Sequence, residues 1–139
     1  MKQQFYTCKH CGNIIAFVRQ SSTSVVCCGE KMTELVPGPA GVSHEKHTPV
    51  YTVNDNTVHV QVGSIEHPMF QAHRIEWISI QTRHGNQRKE LYLAGKPEAY
   101  FSLCKGDVVE AVYAYCNLHG LWKAQPGLAQ KANTETYSN

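Results

Sequence analysis

The sequence predicts an all-β protein, in which a small four-cysteine metal module precedes an antiparallel β-sandwich. Four of the six cysteines lie within residues 1–36. The stretch VPGPAG at 36–41 follows, and its two prolines and two glycines are typical of a boundary between domains. From about Val50 onward, short alternating segments recur at roughly ten-residue spacing with polar turns between them, which indicates a sandwich or a barrel.

Five segments of the second part have the character of strands. In the first of them Val58, Val60 and Val62 alternate with His59 and Gln61, so one face of the strand is apolar. The last is apolar enough to be buried on both faces. The segments are Thr57–Gly63, Arg74–Thr82, Lys89–Gly95, Glu98–Cys104 and Asp107–Cys116.

The pattern divides the chain into three parts. Residues 1–36 form the cysteine module, residues 37–125 the sandwich and residues 126–139 a polar tail. A net charge of +2 with 17% charged residues lacks the basic excess of a nucleic-acid-binding protein. No apolar run is long enough for a membrane span, and the N-terminal residues MKQQFYTCKHCG lack the apolar segment of a signal peptide. We therefore expect a cytoplasmic protein that binds neither nucleic acid nor membrane.

The first candidate metal site combines CKHC, with Cys8 and Cys11, and VVCCGEK, with Cys27 and Cys28. A segment of this length cannot bury enough apolar surface to fold by its core alone, and four thiolates around one tetrahedral metal would stabilise it. Two disulfides are the alternative. A bridge between the adjacent Cys27 and Cys28 would be strained, and a reducing compartment disfavours the other pairings. Zinc and iron both accept four thiolates, so the motif does not identify the metal.

The second candidate site draws on histidines and one cysteine of the sandwich. His47 lies in SHEKHTP, His67 and His73 lie in VGSIEHPMFQAHRIEW, and Cys116 and His119 lie in CNLHG. All five are expected at strand ends or in loops, where a rigid sheet can present ligands. Several imidazoles with one thiolate are too rich in nitrogen for a structural zinc finger but suit iron.

Three of the other histidines and the sixth cysteine receive structural interpretations. His59 is the outward residue of an alternating strand, His84 lies in a turn, and His10 lies inside the CxxC loop. Cys104 is expected to be a small apolar core residue, as free cysteines commonly are.

The motifs and their order resemble the desulfoferrodoxin family, which are two-iron superoxide reductases. The resemblance covers about residues 5–124 and rests on CxxC and CC, the proline–glycine boundary, EKHTP, GSIEHPMFQAHRIEWI and CNLHGLWK. It implies a desulforedoxin-like module that holds one iron by the four cysteines. It also implies an immunoglobulin-like, neelaredoxin-like sandwich that holds a second iron. That iron would have four equatorial ligands and one axial ligand, namely His47, His67, His73 and His119 with Cys116.

The resemblance also implies catalytic roles around the second iron. Its sixth position would be open in the ferrous state, and Glu45 would occupy it in the resting ferric state. Lys46 would attract the superoxide anion, because a flexible point charge can act without ligating. Backbone N–H groups at Leu118 and His119 are expected to hydrogen-bond the Cys116 sulfur and tune the redox potential.

The implied reaction is the one-electron reduction of superoxide to hydrogen peroxide, with a rubredoxin as the electron donor. A homodimer is expected as well, because sandwich edges and a small metal module leave surface to cover. Two other functions stay open. One is a non-catalytic iron electron carrier with a closed histidine-rich centre, and the other is a zinc-stabilised interaction module. A second iron that azide or cyanide never perturbs would favour the electron carrier. Colourless protein with two zinc ions would favour the interaction module.

Overall fold

The computed structural model describes residues 2–38 and 44–124. The chain divides into two compact units, residues 1–36 and 37–139. The expected polar tail at 126–139 and the end of the VPGPAG stretch lie outside the described residues.

The first unit is built from five very short strands. β1 lies between β2 and β5 in an antiparallel sheet, and β3 pairs with β4 in a separate hairpin. Among the described residues of this unit, Phe5 and Cys8 alone are buried. An apolar core this small contributes little to folding. The strands are β1 (Phe5–Thr7), β2 (Ile14–Ala16), β3 (Val26–Cys27), β4 (Glu30–Lys31) and β5 (Thr33–Glu34).

The described residues of the second unit form a one-turn helix and seven strands in two sheets. One sheet has the order β10-β7-β6 and the other has the order β12-β11-β8-β9, and every pairing is antiparallel. In the described part of the chain, no helix has the length and apolar character needed to cross a membrane. The elements are α1 (His44–His47), β6 (Pro49–Asn54), β7 (Thr57–Val62), β8 (Ile75–Thr82), β9 (Asn86–Glu90), β10 (Glu98–Ser102), β11 (Val109–Cys116) and β12 (Gly120–Lys123).

The core of the second unit lies between the two sheets. The alternating valines of β7 are fully buried, together with Phe101 of β10. They belong to one apolar cluster with Ile78 and Ile80 of β8 and Val112 of β11. Full burial of each such side chain contributes about 1.5–3 kcal/mol to the free energy of folding. The all-β sandwich that the sequence predicts is confirmed.

Four of the five predicted strand segments coincide with β7, β8, β10 and β11. The prediction of a strand over Lys89–Gly95 is wrong, because β9 ends at Glu90. Beyond that residue the chain leaves the ladder: Ala94 has a φ of 61°, and Gly95 donates a backbone hydrogen bond to Tyr92 in a turn. The strand β12 was not predicted, and it places Cys116 and His119 before the last strand rather than after it.

The prediction that Cys104 is a core residue is also wrong, because its side chain is exposed. Ala99, Phe101 and Leu103 are buried on the inward face of β10 and its extension. The period of a strand therefore turns the next residue outward. The Cys104 carbonyl accepts a hydrogen bond from Asp107 N–H in the turn that follows.

Candidate metal centres

The four cysteines of the first unit converge on one point. Their Sγ atoms all lie within 4.8 Å of one another. The sulfurs of Cys11 and Cys27 are 3.7 Å apart, and all four thiols are free. Four sulfurs at this spacing could surround one tetrahedral metal ion.

Two tight turns bring the cysteine pairs together. In the first, the Gly12 N–H donates to the Cys8 carbonyl at 2.9 Å and the Cys8 N–H donates to the Asn13 carbonyl at 2.9 Å. In the second, Cys28 has a φ of 51° and Gly29 has a φ of 79°. A left-handed backbone at a cysteine costs roughly 1–2 kcal/mol. The strain is consistent with a position fixed by what its sulfur binds.

One thiol of this group, that of Cys8, is electrostatically prepared for ligation. Backbone N–H groups of Cys11 and His10 lower the pKa of the Cys8 thiol to about 6. Interactions with the thiols of Cys11, Cys8 and Cys27 raise the pKa of Cys28 to about 12. Four thiolates repel one another when no cation lies between them, so the group as a whole favours a bound metal.

The second group of candidate ligands lies at one end of the sandwich. His47 ends α1, two residues before β6, and His67 lies in the loop after β7. These two meet because the start of β6 pairs with the end of β7, with Pro49 opposite Val62. His73 lies two residues before β8, whose first residue pairs with Cys116 at the end of β11. Three histidines and one cysteine thus place their ligand atoms within 4.8 Å of one another.

The four histidine rings form a square. Neighbouring ring centroids are 4.6 Å apart for His47–His67 and for His67–His73, 4.9 Å for His73–His119 and 4.8 Å for His119–His47. Neighbouring rings are close to perpendicular, whereas His47 and His73 lie across the diagonal at 6.1 Å. His119 presents Nδ1, which is 3.0 Å from His47 Nε2 and 3.9 Å from Cys116 Sγ. This arrangement could supply four nitrogens and one sulfur to a metal.

Hydrogen bonding leaves two imidazole nitrogens for a metal. The Nδ1 of His67 lies 2.7 Å from the Pro68 carbonyl, so it carries the proton and Nε2 carries the lone pair. The Nε2 atoms of His67 and His73 are buried and have no hydrogen-bond partner. Burial lowers the pKa of His67 to about 4, and it lowers the pKa of His73 as well. Neutral imidazoles with unpartnered inward nitrogens fit a metal ion.

Cys116 is fully buried at the last position of β11. Burial raises the pKa of its thiol, while the backbone N–H groups of His119 and Leu118 act in the opposite direction. These are the two N–H groups that the sequence predicts at the sulfur. Gly120 pairs with Cys116 and closes the hairpin to β12, so His119 lies in the hairpin turn.

Glu45 and Lys46 lie on α1, on the residues directly before His47. Both are exposed, and Glu45 is not a member of the group of converging ligand atoms. The positive charge of Lys46 is one of the causes that lower the pKa of His73, after burial and His119. The lysine therefore acts electrostatically on the second centre.

Two residues that support the second centre were not predicted from the sequence. The Trp122 indole stacks on the His47 imidazole, with ring centroids 4.8 Å apart. Gly63 has a φ of 84° and adjoins the carbonyl oxygens of Glu45 and Lys46. A glycine directly after an alternating strand is a signal for such a turn, whereas nothing local indicates the tryptophan stack.

Two family models match the chain, and each covers one of the ligand groups. The desulfoferrodoxin model matches residues 40–125, and the desulfoferrodoxin N-terminal domain model matches residues 1–35. The chain belongs to the desulfoferrodoxin family. Its two ligand groups fit two iron sites, one of four cysteines and one rich in histidine.

Individual desulfoferrodoxins are similar over nearly their whole length. The protein from Nitratidesulfovibrio vulgaris is 42% identical over 122 residues, which covers 88% of this chain and 95% of that protein. A desulfoferrodoxin homolog from Archaeoglobus fulgidus is 39% identical over 121 residues, covering 87% and 95%. The crystal structure of a superoxide reductase from Treponema pallidum superimposes with a TM-score of 0.76 at 36% identity, covering 89% of this chain and 98% of that one.

Proposed function

We propose that the protein is a superoxide reductase. It reduces superoxide, with one electron and two protons, to hydrogen peroxide at the centre of His47, His67, His73, His119 and Cys116. The first unit, residues 1–36, holds the other iron by its four cysteines. Residues 37–125 form the catalytic domain.

The observation that carries this proposal is the square of four imidazoles beside one buried thiol. A six-coordinate metal held by these five residues would keep one position for a small ligand. A closed structural site would instead use all its positions for protein ligands. The family membership and the similarity to the Treponema pallidum superoxide reductase support the same function.

Iron bound at this centre would supply the electron, and the Cys116 thiolate would increase the electron density on it. The chain's own residues prepare the site for that chemistry. Burial keeps water away from the sulfur, and the N–H groups of Leu118 and His119 stabilise its negative charge. His67 is fixed in one tautomer by the Pro68 carbonyl, which keeps its Nε2 directed inward.

Lys46 and Glu45 have the roles of attracting the substrate and closing the site. The Lys46 ammonium is exposed yet acts on His73, so it increases the local concentration of an anion at the centre. Glu45 carries a carboxylate two residues before His47. With iron bound, Glu45 would be the carboxylate available to ligate the remaining position in the oxidised resting state.

We further propose that a small iron protein of the rubredoxin type supplies the electrons in the cytoplasm. Two copies of the chain associate as a homodimer, since both sheets of the sandwich end in edge strands that can pair or be covered. Light scattering of the purified protein measures the number of copies. Reduction of the oxidised protein by candidate donors, followed by absorption, measures the donor's rate.

The decisive experiment is an anaerobic titration of reduced, iron-loaded protein with superoxide, followed by visible absorption. We expect a new thiolate-to-iron charge-transfer band, one peroxide formed per superoxide and no dioxygen released. Release of dioxygen would make the protein a dismutase. Absence of a band with both sites filled, together with no response to azide or cyanide, would instead indicate a closed electron carrier.

A further inference from the structure

We propose that Asn117 is a positioning residue, whose side chain sets the distance between His73 and Cys116. It does so by hydrogen bonding to the peptide groups on both sides of His73. The inference rests on the proposed function in one respect, which is that His73 and Cys116 ligate the same iron.

Asn117 makes three hydrogen bonds to the segment around His73. The Arg74 N–H donates to Asn117 Oδ1 at 2.8 Å, and Asn117 Nδ2 donates to the Ala72 carbonyl at 3.0 Å. The Asn117 N–H donates to the Arg74 carbonyl at 3.1 Å. Both ends of the side-chain amide are thus used. Aspartate would offer only acceptors, and leucine would offer neither function at a similar size.

The backbone of His73 itself is held within its own loop. Its N–H donates to the Phe70 carbonyl at 3.0 Å, and its carbonyl accepts from the Phe70 N–H at 3.1 Å. These bonds fix the shape of the loop but do not fix its distance from Cys116, because Phe70 lies in the same loop. Asn117 supplies the cross-connection, since it is covalently joined to Cys116.

Strand pairing alone ends just before this point. Cys116 pairs with Ile75, and the register between β11 and β8 shifts between Tyr115 and Cys116. The three bonds of Asn117 continue the attachment beyond that irregularity, into the loop that carries His73. The Nε2 of His73 is buried and has no hydrogen-bond partner, so the ring's place depends on this backbone support. Groups that orient ligands in this way commonly alter metal affinity by about 10–100-fold.

The test compares Asn117→Ala, Asn117→Leu and Asn117→Asp with the unsubstituted protein. Asn86→Ala is the matched control, because Asn86 is exposed and pairs with Gln81 near the other end of β8. Competition with a chelator measures the affinity for Fe(II), and the absorption of the oxidised protein shows the thiolate-to-iron band. The four-cysteine iron in the same molecule serves as the internal reference.

We expect Asn117→Ala and Asn117→Leu to weaken Fe(II) binding at the second centre by about tenfold and to shift its band. The four-cysteine absorption should not move, and Asn86→Ala should match the unsubstituted protein. The Fe(II) affinity of Asn117→Asp should lie between those of the unsubstituted protein and the apolar variants. Aspartate keeps an acceptor for the Arg74 N–H but places a second acceptor against the Ala72 carbonyl.

Unchanged affinity and an unmoved band in both apolar variants would overturn the proposal. So would variants that lower only the unfolding temperature, since that result assigns Asn117 a merely structural role. If the unsubstituted protein shows no thiolate band at the second centre, the proposed function fails and the proposal fails with it. The thiolate band of the unsubstituted protein therefore distinguishes a failure of the proposed function from a failure of the Asn117 proposal alone.

Discussion

Gly63 packs so closely against Lys46 that an added Cβ would lie 2.6 Å from the Lys46 carbonyl oxygen. The same Cβ would lie 2.8 Å from the Glu45 carbonyl oxygen and would also collide with that of Ile65. The Ile65 N–H also donates to the Glu45 carbonyl at 3.2 Å. The turn after β7 therefore packs against the backbone of the segment that carries Lys46, the lysine proposed to attract superoxide.

Gly63→Ala should destabilise the protein and slow its reaction with superoxide. The alanine must adopt a left-handed backbone and displace three carbonyl oxygens, so we expect a loss of about 2 kcal/mol or more in the free energy of unfolding. Denaturant unfolding and the rate with superoxide are the measurements. Gly85→Ala is the control, because a Cβ there meets nothing within 4 Å. Equal stabilities of the two variants would contradict the close packing.

Cys116→Ser should abolish superoxide reduction and leave the four-cysteine centre intact. An alcohol is a much poorer ligand for iron than a thiolate, and it removes the sulfur that tunes the metal. Peroxide formation and the absorption of both centres are measured together. Cys104→Ser, which changes an exposed cysteine, should behave as the unsubstituted protein does. Turnover retained by Cys116→Ser would refute the ligand assignment.

Lys46→Ala should slow the encounter with superoxide by about tenfold at low salt and weaken the dependence of the rate on ionic strength. The reason is that the exposed Lys46 ammonium contributes positive charge at His73, in a centre whose proposed substrate is an anion. Pulse radiolysis over a range of salt concentrations measures the effect. Lys105→Ala serves as the control, since Lys105 precedes β11 whereas Cys116 ends it. An unchanged rate at low salt would rule out the steering role.

The sequence alone predicts those strands in which apolar and polar residues alternate within the strand itself. Val58, Val60 and Val62 predict β7 because the alternation needs no knowledge of the partner strand. The segment Lys89–Gly95 misleads, because Leu91 and Leu93 alternate although the chain turns away from the sheet there. β12 has only four residues, which is too few for a clear alternation of its own. Its structure depends on its pairing with β11, which the sequence pattern does not reveal.

The candidate ligands follow from residue type and spacing, whereas their mutual geometry does not. His47 and His73 are separated in the sequence by a hairpin and a loop, and only the sheet topology brings them across one square. Asn117 stands between two candidate ligands in CNLHG, but its bonds to Ala72 and Arg74 depend on which loop lies opposite. Long-range contacts of this kind cannot be derived from periodicity.

Thr82→Val should reduce stability more at neutral pH than in acid. Burial raises the pKa of the Asp107 carboxyl, yet hydrogen bonds from the Thr82 hydroxyl, at 2.8 Å, and from backbone N–H groups hold the pKa below its ordinary value. A lowered pKa means that the carboxylate stabilises the folded state above the ordinary value of 3.8, and this contribution is lost as the pH falls through the folded pKa. Unfolding midpoints of both proteins at pH 7 and near pH 3 measure the difference. A difference between the two unfolding midpoints that is larger near pH 3 than at pH 7 would contradict a stabilising bond from Thr82 to the Asp107 carboxylate.

Removal of metal should unfold the first unit and leave the sandwich folded. Among the described residues of the first unit only Phe5 and Cys8 are buried, whereas the second unit has an extended apolar cluster between two sheets. Binding of metal by the four thiols is therefore most of the first unit's folding free energy. Amide hydrogen exchange of reduced, chelator-treated protein should show loss of protection in β1 and β2 and retained protection in β7 and β8.

Zn(II) should restore protection to the first unit as well as Fe(II) does, because the stabilisation needs four tetrahedral thiolates and no redox change. Persistent protection of β1 without metal would show that the unit folds by contacts other than its cysteines.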